Sequence, residues 1–284
     1  MSIGTPLAVT AALWFRDRQS EARRQFSTSS MWSCPTASSS LAGPASPGFV
    51  LRNDYPATES LRAAETEQRA WEQVDWTTEP HKYLLALRDY CLEGNEDVDF
   101  AVARNAKRDW WHAPWLHTGR GGRDPLHGLT QERPIQPYEL SDRQHRKAQT
   151  WACGYFNAPA ASVLGKIWKD PTRPDVTDEI FFPPGSVIFK LLFSQATSDE
   201  MPLLEGAPVW NAVIIDEKTQ ERSMEATALR LVQMDVMAKD PRLEGRWIFA
   251  TYIFCAGSSA SNVSTQKKAH LRFRIKHSDK QICI

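Results

Sequence analysis

From Thr150 to Phe254 the chain carries six short runs rich in Val, Ile, Phe, Trp and Tyr: TWACGYFNA, SVLGKIWKD, SVIFKLLFS, VWNAVII, LRLVQMDVMAKD and RWIFATYIF. Clusters of Pro, Gly, Asp and Glu separate them. Side chains branched at Cβ or aromatic fit a pleated, half-buried surface, and breakers at this spacing leave little room for crossover helices. The pattern predicts an antiparallel sheet or barrel over residues 150–255. No other feature constrains the fold as strongly.

The segment before this core reads differently. SLRAAETEQRAWEQVDW, from Ser60, is built of strong helix formers without Gly or Pro, and Ser60 is a suitable N-cap. A second helix is expected from His81 to Leu92, where Tyr83, Leu84, Leu87, Tyr90 and Cys91 fall at helical spacing after Pro80. The expected fold class is therefore α+β: N-terminal helices within residues 58–93, packed on a mainly antiparallel sheet or barrel, in one domain spanning 51–255. Between them, residues 94–149 read as loop, because Gly119, Gly121, Gly122, Gly128, Pro114, Pro125, Pro134 and Pro137 break any long helix.

Composition excludes some partners. The formal net charge is zero, which argues against nucleic acid, since phosphate binding needs a cationic excess. No run approaches the roughly 20 apolar residues of a membrane span. The five cysteines, Cys34, Cys91, Cys153, Cys255 and Cys283, are widely spaced and odd in number, which indicates neither a disulfide framework nor a zinc site. Residues 1–50 contain RRQFSTSS and a Ser-, Ala- and Pro-rich stretch. They read as a mitochondrial presequence or as a disordered tail, which leaves a mitochondrial or a cytoplasmic location open and makes secretion the lesser reading. Residues 256–284 form a basic extension in which HLRFRIKH is either one more strand or a solvated tail.

Chemistry concentrates between Asp109 and Pro134, where three Trp, three His and three Arg fall within 26 residues. Polar groups this dense among aromatic rings mark a pocket. Trp111 and Trp115 are candidates to stack on a flat ligand. Arg120, Arg123 and Arg133 are candidates to hold an anionic group, and His127 to line the pocket rim. His112 and His117 are the candidates for proton transfer, because an ordinary imidazole titrates near neutrality. The structural alternatives are hydrogen bonds that fix the loop, ion pairs of the arginines with Asp124 or Glu132, and tryptophans that seal the loop onto the sheet. The His spacing matches no metal motif, so no metal ligand set is assigned.

Three blocks carry a resemblance. FFPPGSVIFKLLF (Phe181–Phe193) resembles the F-P-x-G-[ST]-x-[IV]-x-K stretch of the cytochrome P-460 family. LVQMDVMAKDPRLEGRWIFATYIF (Leu231–Phe254) is similar to that family's M-x-K-D…G-x-W-x-[FY] ending, and TWACGYFNAPAASVL (Thr150–Leu164) to its opening strand and N-x-x-A turn. The blocks keep the family's order, and Lys190, Met237, Lys239, Asp240 and Trp247 are the matched positions. The resemblance implies a small, mainly antiparallel β fold with a c-type haem and peroxide- or hydroxylamine-linked redox chemistry, and it adds Lys190 to the ligand-binding candidates. The family places CxxCH just after the W-x-F strand. Here that place reads CAGSSASN, with Cys255 alone. The expected function is accordingly that of a ligand-binding or cryptic catalytic domain with a P-460-like core lacking covalent haem, whose ligand is a small and anionic molecule. The alternatives are an oxidoreductase holding haem or a metal non-covalently through His112, His117 or His127, and a structural or interaction protein.

Overall fold

The computed structural model describes residues 48–57, 69–114, 122–170, 172–176, 180–216, 219, 221–243, 247–254, 273–277 and 280–283. Its strands are β1 (Trp110–His112), β2 (Thr130–Gln131), β3 (Thr150–Asn157), β4 (Val187–Ser194), β5 (Val209–Ala212), β6 (Thr227–Ala238), β7 (Ile248–Phe254), β8 (Phe273–His277) and β9 (Lys280–Cys283). They form one curled antiparallel sheet in the order β1-β3-β4-β6-β7-β8-β9. β2 pairs with β3, and β5 pairs with the first residues of β6. Two α-helices are described, α1 (Pro80–Leu92) and α2 (Ala158–Ile167), so the molecule is mostly β.

Alternation along the strands sorts the side chains onto two faces. Trp151, Cys153 and Tyr155 of β3 and Val187, Phe189, Leu191 and Phe193 of β4 point to one face, where they join the main core. Trp110, Met234, Val236 and Tyr252 extend that core, and Tyr83, Leu87 and Tyr90 of α1 close over it. Tyr252 fixes the helix by donating to the Leu84 carbonyl at 2.7 Å. Trp111, Phe156, Ala161 and Leu164 form a second, smaller cluster that includes α2. β3 is thus covered on both sides, which is why all but one of its residues are buried.

Four expectations need correction. SVLGKIWKD is not a strand. Most of it lies in α2, because the Asn157 side chain accepts the Ala160 N–H at 3.3 Å as N-cap, Pro159 occupies the first turn, and the Ala-rich sequence favours a helix. The helical region expected over 58–93 is α1 and a short 3-10 turn at Ala70–Gln73, while residues 48–57 are non-helical and 58–68 lie outside the described residues. α1 begins at Pro80 rather than at His81, since Pro needs no N–H partner in the first turn. The stretch 94–149 is not purely loop: Trp110–His112 pairs with Tyr155–Asn157, and Thr130–Gln131 with Trp151–Ala152. Of the basic extension, the backbone at Phe273–Ile275 pairs with Tyr252–Phe254 of β7. Of the leader or tail expected over residues 1–50, residues 1–47 lie outside the described residues, while Gly48–Val50 pack on the fold, where the Phe49 N–H donates to the Pro125 carbonyl at 2.8 Å. No helix among the described residues is long and apolar enough to cross a membrane.

Candidate functional site

β1 ends the main-core edge of the sheet with His112, which stands opposite Tyr155 of β3 and is 2% exposed. Over it runs the segment Gly48–Tyr55. The Arg52 N–H donates to His112 Nδ1 at 2.9 Å, and the His112 N–H donates back to the Arg52 carbonyl at 2.9 Å. Tyr55 Oη donates to the His112 carbonyl at 2.9 Å, and the Trp111 indole N–H donates to the Asp54 carbonyl at 3.0 Å. The Phe49 ring lies edge-on to the imidazole at 4.9 Å. Gly128, with φ of +71°, lets Phe49 settle there, since a Cβ at that position would stand 2.2 Å from the ring.

A cavity of about 120 Å³ opens between this strap, His112 and three further pieces of chain. One piece is Asp99–Phe100, two successive non-glycine residues in the left-handed region at φ of 49° and 57°. Such a pair is unfavourable and persists only when its surroundings hold it. Here Asp99 Oδ1 accepts the Trp210 indole N–H at 2.9 Å, and the Phe100 ring packs on Tyr155, Phe189 and Trp210. The second piece is the turn at Leu126–His127. Asp124 builds it by accepting from the N–H groups of His127 at 2.6 Å, Leu126 at 3.2 Å and Val213 at 2.7 Å. The third is Trp210 on β5, which is sandwiched between the His127 ring at 4.4 Å and the Phe193 ring at 4.4 Å. His127 Nε2 faces Asp99 Oδ2 at 3.4 Å. Arg104 completes the exposed rim.

The electrostatics of His112 follow from this enclosure. Burial, and then the positive charge of Arg123 with that of Arg52, push its pKa from about 6.5 down to about 3. The ring is neutral at physiological pH, and the N–H donor on Nδ1 leaves its single proton on Nε2. No described residue accepts from that Nε2–H. A group with so low a pKa is poorly matched to proton transfer near neutrality. The expectation of an ordinary imidazole at this position is therefore corrected: His112 is a neutral donor.

The other sequence candidates divide. His127 shares the cavity with His112. Trp111 does not stack on any ligand space, because its ring is covered by the Arg52 guanidinium at 4.4 Å and belongs to the α2 cluster. Arg123 donates to the carbonyls of Ala113 at 2.6 Å and Gly128 at 3.0 Å, so it binds backbone and holds the turn beneath the strap. Arg133 pairs with Glu139 on an exposed surface. Lys190 alternates away from Phe189 and pairs with Asp235 at 3.8 Å, on the face opposite the cavity. Trp115, His117 and Arg120 lie outside the described residues. Sequence reasoning missed Phe49, Asp99, Phe100, Arg104 and Trp210. Trp210 carries a signal, an aromatic residue in a strand, but that signal is shared by every core tryptophan.

The haem implied by the P-460 resemblance does not fit this site. The cavity is smaller than an engineered apolar cavity of about 150 Å³ that takes up benzene, and a macrocycle is several times larger. Among the described residues no three His, Cys, Asp or Glu side chains converge as a metal set. Burial also raises the thiol pKa of Cys91 and of Cys153, which removes the thiolate that a metal needs. Comparison of the chain with protein-family models, with curated proteins and with solved structures returns no match.

Proposed function

We propose that this chain is a small-ligand-binding domain, with a cytochrome P-460-like β core that serves as scaffold without covalent haem. The resembling blocks support the scaffold reading, since they fall on β3 with α2, on β4, and on β6 with β7, which are sequential neighbours in one sheet. One observation carries the binding reading. His112 is buried, neutral and lines the cavity, yet its Nε2–H has no acceptor among the described residues. Because His112 lines the cavity, that donor is open to a bound acceptor, and a hydrogen bond to it contributes about 0.5–1.5 kcal/mol. The aromatic walls supply an apolar seat, and the mixture of apolar wall and few polar groups is that of a ligand pocket.

The test is Ala103→Trp. Ala103 is exposed and lines the cavity, so the larger ring fills the space while leaving the core untouched. Fragments of about six non-hydrogen atoms, followed by the Trp210 indole N–H in nitrogen-edited NMR, should bind the native protein and not the variant, with the melting temperature unchanged. Equal binding by both proteins would place the site elsewhere and defeat the proposal.

A second reading, that the domain acts on its ligand, is favoured by the same ring. A neutral imidazole that donates one fixed hydrogen bond polarises a carbonyl without giving up its proton. Turnover would then depend on His112 and show no imidazole limb between pH 5 and 8.

A further inference from the structure

The polar groups of the cavity wall are not equally spent. Asp99 Oδ1 is taken by the Trp210 indole and Oδ2 faces the His127 ring. His127 Nδ1 is unmatched but buried, and two donors are left over for a ligand. One is the His112 Nε2–H among the buried residues of the wall. The other is the Arg104 guanidinium at the rim, which forms no ion pair or hydrogen bond among the described residues. Apolar side chains of the same wall are Phe49, Val50, Phe100, Leu126 and Trp210. A ligand that fits must present acceptor oxygens to the two donors, an apolar body to the wall, and a bulk below that of benzene's cavity.

Resting on the binding reading above, we infer that the ligand is a compact carboxylate of about six non-hydrogen atoms, paired with Arg104 and accepting from His112 Nε2–H. An amine would satisfy Asp99, which is already engaged, and would set a donor against the donor of His112. An amide would satisfy His112 and leave the Arg104 charge unused. Only the carboxylate answers both.

Butyrate and butyramide have six non-hydrogen atoms and butylamine five, and they differ in the end group, so they separate the cases. Each is titrated into the native protein, Arg104→Gln and Ala103→Trp, with the Trp210 indole and His112 ring resonances as readout. Butyrate should bind the native protein about tenfold more tightly than butyramide, and Arg104→Gln should remove that advantage while leaving butyramide unchanged. Added salt should weaken butyrate alone. If butyramide or butylamine binds as well as butyrate, and Ala103→Trp still blocks it, the carboxylate assignment is overturned and the pocket stands. If none of the three perturbs either resonance, the pocket reading falls with it.

Discussion

The neutral state of His112 has a measurable consequence for folding. In the unfolded chain its imidazole titrates near 6.5, and in the folded protein near 3. Between those values the unfolded state binds a proton that the native state refuses, so stability falls as pH falls through this window. At about 1.4 kcal/mol per pH unit the whole interval amounts to about 5 kcal/mol, and the part between pH 6.5 and pH 4 to about 3 kcal/mol. His112→Asn isolates this contribution. Its side-chain oxygen can still accept the Arg52 N–H, and it does not titrate. The lost ring packing lowers stability by an amount independent of pH, so the two proteins differ in slope as well as in offset. Urea unfolding at a series of pH values from 7 to 4 measures both. The native protein should lose about 3 kcal/mol more than the variant across that series. Parallel curves would refute the enclosure of a neutral ring.

Other substitutions probe the parts that position the site. Gly128→Ala forces a Cβ into the Phe49 ring and a side chain into the left-handed region, so it should cost about 1–2 kcal/mol and expose the strap, read as faster tryptic cleavage at Arg52. Unchanged cleavage would mean that Phe49 does not clamp the segment. Asp99→Val should be less stable than Asp99→Asn by about 1–3 kcal/mol in thermal melts, because Asn tolerates positive φ and still accepts the Trp210 indole. Asp124→Ala strands three N–H groups at one turn and should cost at least about 3 kcal/mol, with loss of the His127–Trp210 stack visible as a shift of the Trp210 indole resonance.

The β core is legible in the sequence because its strands carry their own pattern. β3, β4, β6 and β7 coincide with apolar runs, and partners on both sides only reinforce what local composition already favours. α2 is not, since Val163, Leu164 and Ile167 look alike in a short strand and a short helix, and the deciding signals are Asn157 and Pro159 ahead of them. β1 is hidden for another reason. Three residues in a breaker-rich stretch become a strand only because β3 offers its edge.

The site is legible in half. The density of rings and histidines points to His112 and His127, which do meet at one cavity. Arg123 reads as an anion holder and is instead spent on carbonyls, a distinction that depends on which backbone comes near it. The left-handed pair Asp99–Phe100 has no glycine to announce it, and its geometry is imposed by Trp210, which lies 111 residues beyond Asp99. The strap at Gly48–Tyr55 abuts sequence that composition alone assigns to a leader or to a helix, and its role is set by the contacts of β1 and the turn at Asp124–Gly128.

The central claim is that a neutral His112 presents one unspent donor to a small ligand. Nitrogen-15 imidazole NMR of the native protein, with and without butyrate, tests it most directly. The account predicts that His112 is in the Nε2–H form at neutral pH, stays so down to about pH 4, and shifts when butyrate is added. A His112 ring that titrates near 6.5, or one that ignores every fragment the protein binds, would contradict it.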